Sequence, residues 1–149
     1  MHRRRRNRVL IWIIACGLLN FLTYTVLYAY IGGDAKNGQI DNGHYFVQGH
    51  FLYDAQGHAR EVGKGVWIYS YIHSISIWPT IGMVLCSMLI LARPHIIATM
   101  QEDSLLRGHS FVTISMTLIV IVVGTSTTYF VMDFLQALRA IEAGGRYGV

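Results

Sequence analysis

Cysteine, proline and charge are all scarce in this chain: two Cys, two Pro and 13% Asp, Glu, Lys and Arg in 149 residues. Each scarcity removes a class of protein. Cys16 and Cys86 stand in separate apolar runs with no C-x-x-C spacing, which excludes a zinc ribbon and a disulfide framework. They read as small packing side chains. The charged share is about half that of a soluble domain, so an ordinary water-soluble fold is excluded as well. The eight acids lie in loops or at the margins of apolar runs, which leaves no membrane-embedded carboxylate pair for proton relay. G-x-S-x-G, H-E-x-x-H and phosphate-cradling glycine loops are missing, and no internal repeat suggests a transporter. The reading is therefore non-enzymatic, with no catalytic residues and no cofactor required.

What the chain has instead is apolar length. Val9 to Ile31, Val66 to Ala92 and Phe111 to Met132 contain no formal charge, and each exceeds the roughly 20 residues that cross a 30 Å hydrocarbon core. The expected fold class is all-α and membrane-embedded. It has a basic tail over 1–8, transmembrane helices over 9–31, 66–92 and 111–132, an external loop over 32–65 and a cytoplasmic loop over 93–110. A helical extension follows over 133–149, ending at Gly144-Gly145. Pro79 lies mid-span in the second helix, where it removes one backbone donor and favours a kink.

Orientation follows from two unrelated signals. Arg3, Arg4, Arg5, Arg6 and Arg8 precede the first span, whereas the other juxtamembrane segments mix both signs; the N-terminus is thus expected in the cytoplasm and the C-terminus outside or in the periplasm of a bacterial inner (plasma) membrane. Tyrosines agree. Tyr24, Tyr28, Tyr30, Tyr69, Tyr71 and Tyr129 all fall toward the end that charge assigns to the outside. Membrane lipids are the first partner expected of the arginine tail; nucleic acid is not expected, since no aromatic-rich polar surface accompanies it.

Inside the spans, polar and small residues mark packing. Asn20 sits mid-span, where an unpaired amide is costly, and shares a face with Gly17 and Tyr24. Thr113, Thr117, Gly124 and Thr128 form a small-residue stripe expected to be a helix-packing seam. Counting seven residues in from each outer end brings Tyr24, His73 and Thr125 to one depth, so His73 is expected to meet a tyrosine or threonine hydroxyl near Ser70, Ser74 and Ser76.

The external loop splits into HYFV and HFLY around Gln48-Gly49, with further turn signals at Gly32-Gly33, Asn37-Gly38, Asn42-Gly43 and Gly57. These predict a small two- or three-stranded meander. Taking Gln48-Gly49 as the turn sets Val47 opposite His50, Phe46 opposite Phe51 and His44 opposite Tyr53, and turns His44 and His50 to opposite faces.

The function expected from these features is a membrane accessory or assembly subunit, packed against larger membrane-protein subunits of a respiratory, photosynthetic or translocation complex. Two other classes compete. His73, the one histidine well inside a span, can serve as a single axial ligand to haem or a chlorophyll-type pigment. His44, His50 and His58 can make an external metal-binding or sensor module, although the expected register separates the first two.

Overall fold

The computed structural model describes residues 2–49, 59–100 and 107–148. It is mostly helical, with three long helices and one small antiparallel sheet: α1 His2–Ile31, β1 Asp34–Asp41, β2 His44–Gln48, β3 Arg60–Val62, α2 Lys64–Thr99 and α3 Gly108–Glu142. All three helices are long and apolar enough to cross a membrane.

Helix ends differ from the apolar runs that announce them. The arginine tail is the first two turns of α1, and α2 continues through Arg93-Pro94, where the sequence suggests an end. Pro94 forfeits one amide bond, but ending there would orphan every later donor of the segment, and Met100 N still bonds Ile96 O at 3.0 Å. α3 stops at the expected glycines. Gly145 N bonds Ala140 O at 2.9 Å and Gly144 N bonds Ile141 O at 3.3 Å, with Gly144 at φ 63°, a Schellman closure.

The chain divides into two compact units, Met1–Asn20 with Trp78–Ser126, and Phe21–Ile77 with Thr127–Val149. In the first, helices meet through small residues. Gly17 is buried against α2: a Cβ there would stand 2.3 Å from Val84 Cγ2 and 3.3 Å from Thr80 Cγ2. One turn on, Asn20 Nδ2 donates to Thr80 Oγ1 at 2.9 Å, so the amide within the apolar run finds its partner on the neighbouring helix. Gly82 meets α3 in the same way, its absent Cβ 3.0 Å from Val123 Cγ2.

The second unit carries the sheet. Strand order is β1-β2-β3, a meander as expected, but its register differs from the sequence reading. The tight turn is Asn42-Gly43, with φ of 48° and 82°, and it sets Asp41 opposite His44, Ile40 opposite Tyr45 and Gln39 opposite Phe46. Two consecutive positive φ values suit Asn-Gly and not Gln-Gly, because only the short Asn amide and glycine tolerate the left-handed region cheaply. On its other edge β2 pairs with β3, Tyr45 opposite Val62, Phe46 opposite Glu61 and Val47 opposite Arg60, in place of the expected pairing around Gln48-Gly49. His50, Phe51 and Tyr53 lie outside the described residues.

Alternation turns Ile40, Tyr45, Val47 and Val62 to one face, where they join Trp67, Tyr71 and Ala137 in the core of this unit. Trp67 is fully buried and spends its indole N–H on Phe46 O at 3.2 Å. The sheet therefore has the packing surface that a small meander needs for stability.

Candidate functional site

Among the described residues, one polar group is assembled from four segments of the second unit. β1 supplies Lys36, α2 Tyr71, α3 Asp133 and the C-terminal tail Tyr147. Lys36 Nζ lies 2.7 Å from Asp133 Oδ2, the same oxygen that accepts the Tyr71 hydroxyl, and Tyr71 and Tyr147 hydroxyls are 3.2 Å apart. The tail reaches this place by a reciprocal backbone bridge, Ile40 N to Tyr147 O at 2.6 Å and Tyr147 N to Ile40 O at 3.0 Å. Lys36 also sits 5.7 Å from the Tyr129 ring centroid and 5.6 Å from that of Phe130, within cation–π range.

An open cleft of about 470 Å³ borders the group, with Lys36, Gln39, Gln48 and Asp133 in its walls. Burial pushes the Tyr147 phenol up to about 12, with the Asp133 carboxylate acting in the same sense. Chemically the group is a closed ionic clamp. The carboxylate is occupied by a cation and a hydroxyl, and the cation is occupied by the carboxylate. Of its members, sequence reading marks Tyr71, as one of the outer-end tyrosines, and Asp133, as an acid at the margin of the third apolar run; Lys36 and Tyr147 carry no local signature.

A second group surrounds Tyr24. Its hydroxyl donates to Asp34 Oδ2 at 2.9 Å and lies 3.5 Å from Ser74 Oγ, while Asp34 Oδ1 takes the Asn37 backbone and side-chain amides at 3.0 and 2.7 Å. His73 is here, its ring 5.3 Å from Tyr24 and its Nδ1 3.3 Å from the Tyr69 hydroxyl. The Tyr24 ring is the neighbour that depth suggests, but the hydroxyl His73 meets is that of Tyr69, one turn back on its own helix. The space enclosed with Tyr24, Asp34 and Tyr69 is about 10 Å³, room for one water at most and far below a porphyrin or chlorin. The residues around His73 therefore do not by themselves form a macrocycle pocket.

The remaining expected sites are placed as follows. Thr113, Thr117, Gly124 and Thr128 share one face of α3 but are all exposed, with nothing within 4 Å of a Cβ built on Gly124. They are not a seam within the described chain, where α3 instead uses Val112, Val123 and Ala137. Periodicity says which residues share a face, not which face turns inward. Arg3, Arg4, Arg5, Arg6 and Arg8 are exposed. His44 pairs with Glu61 at 2.6 Å, and His50 and His58 lie outside the described residues. Among the described residues no group of three His, Cys, Asp or Glu is disposed to hold a metal.

No protein family, curated protein or solved structure matches this chain.

Proposed function

We propose that this chain is a non-enzymatic integral membrane subunit that crosses the membrane three times and packs laterally on a larger membrane-protein partner. The observation that carries it is the outward small-residue stripe Thr113, Thr117, Gly124 and Thr128. Buried residues make up only 11% of the apolar window in α1 and in α2 and 6% in α3, so the helices leave most of their surface to lipid or protein. Against lipid tails, glycine and threonine have no advantage over leucine. Against another helix they permit close backbone approach, the main source of association where no hydrophobic drive exists.

The rest of the chain fits that role. The second unit ties Lys36, Asp133, Tyr71 and Tyr147 to one another, which leaves no free base or nucleophile in the clamp. The arginine cluster and the tyrosine-rich ends favour a bacterial inner membrane with the N-terminus in the cytoplasm. Gly124→Leu tests the reading. It should release the chain from its native particle, while Thr125→Leu, turned about 100° round the helix, should not. Retention of both variants would count against lateral packing through this face.

A further inference from the structure

In the first unit, arginines from two helices converge on one cleft. Arg3 and Arg6 of α1 and Arg93 of α2 surround an opening of about 290 Å³ whose floor is Ile90, Pro94 and Ile97. Spacing explains the selection. Arg3 and Arg6 are three residues apart and share a helix face, whereas Arg4, Arg5 and Arg8 lie on the other side of α1. Arg93 Nη2 lies 3.3 Å from His109 Nδ1 of α3.

Among the described residues of this unit the charge of the cleft has no acidic counterpart. Asn20 ends one stretch of the unit and Trp78 begins the next, and the described residues of the unit include neither Asp nor Glu. Glu102 and Asp103 lie outside the described residues. Three guanidinium groups over an apolar floor match a ligand with an anionic phosphate head and a hydrocarbon body. Guanidinium forks pair with phosphate oxygens in bidentate fashion, and the isoleucines and proline offer an apolar surface where the acyl chains begin. A free phosphate would use the first feature and gain nothing from the second.

We infer that this cleft is a binding site for the headgroup phosphate of an anionic phospholipid, held by Arg3, Arg6 and Arg93. The site rests on the membrane reading and adds to it. A basic tail that merely senses surface charge responds to how many arginines remain, each being worth about the same wherever it stands. A built site responds to which ones remain.

Native mass spectrometry of the detergent-purified full chain, titrated with phosphatidylglycerol or phosphatidylcholine of matched acyl chains, separates these cases. Phosphatidylglycerol should be retained about tenfold better than phosphatidylcholine, and Arg93→Gln or the pair Arg3→Gln with Arg6→Gln should each abolish most of that preference. Arg4→Gln with Arg5→Gln removes the same charge as the second variant and should change retention less than about twofold. Arg93→Lys keeps the charge and loses the fork, and it too should weaken binding.

Equal loss from both arginine pairs, or equal retention of the two lipids, would overturn the site. Millimolar inorganic phosphate should not displace phosphatidylglycerol; displacement would assign the cleft to a soluble anion and overturn the lipid assignment. Alkaline carbonate washing of membranes keeps the two claims apart. A chain that washes off sinks the membrane reading and the lipid site together, whereas a chain that stays embedded but treats both lipids alike sinks the lipid site alone.

Discussion

Lys36 Nζ and Asp133 Oδ2 are 2.7 Å apart, and this one ion pair ties the first strand to the third helix. Their side chains are 22% and 17% exposed, between a surface pair worth at most about 1 kcal/mol and a buried one whose rupture costs about 3–5 kcal/mol. Asp133→Asn should therefore destabilise the chain by about 2 kcal/mol, because it leaves Lys36 half-buried without its counter-ion. Lys36→Met should cost less, since Asp133 keeps the Tyr71 hydroxyl. Thermal unfolding of both single variants and the double variant in detergent checks this. Simple additivity in that cycle would mean the pair contributes nothing.

Gly17 should resist enlargement because Val84 cannot step aside. Its missing Cβ would stand 2.3 Å from Val84 Cγ2, and a β-branched side chain in a helix has essentially one rotamer. Gly17→Ala should cost about 1–3 kcal/mol through overpacking, despite alanine's better helix propensity. Val84→Ala in the same chain should recover much of the loss. If Gly17→Ala alone proves neutral or stabilising in unfolding titrations, the two helices do not approach at this point.

His44 should titrate above the ordinary histidine value. The Glu61 carboxylate, 2.6 Å from its ring, raises it by hydrogen bonding to the protonated ring and by charge. A folded-state value raised above the unfolded one adds stability that is fully present below the unfolded pKa and is lost as pH rises through the folded one. The pair thus helps at mildly acidic pH and fades above it. Both side chains are more than half exposed, so the effect on unfolding is small, and the direct readout is an NMR titration of His44 in the wild type and in Glu61→Gln. The Glu61 variant should bring His44 back toward about 6.5.

What the sequence makes legible here is whatever depends on composition along the chain. The three uncharged runs are long apolar helices because length and apolarity are additive properties, and Asn20 announces a partner because an unpaired amide among apolar residues is too costly to leave. Thr80 supplies that partner. Properties that depend on which way a helix turns are not legible. Thr113, Thr117, Gly124 and Thr128 share a face by period alone, and only the packing of Val112 and Val123 decides that this face looks out. The hairpin fails for a finer reason: Gln48-Gly49 and Asn42-Gly43 are both glycine pairs, and only φ separates them. The clamp was hidden because Lys36, Tyr71, Asp133 and Tyr147 come from four distant stretches, each ordinary in its own neighbourhood.

The size of the native particle that contains this chain tests the proposed role most directly. Membranes extracted in a mild detergent and separated on a native gel should place the chain in a complex far larger than a dimer or trimer of itself, together with other membrane subunits. Migration as a monomer or small homo-oligomer, under conditions that keep known membrane complexes intact, would contradict the assignment as a subunit of a larger assembly.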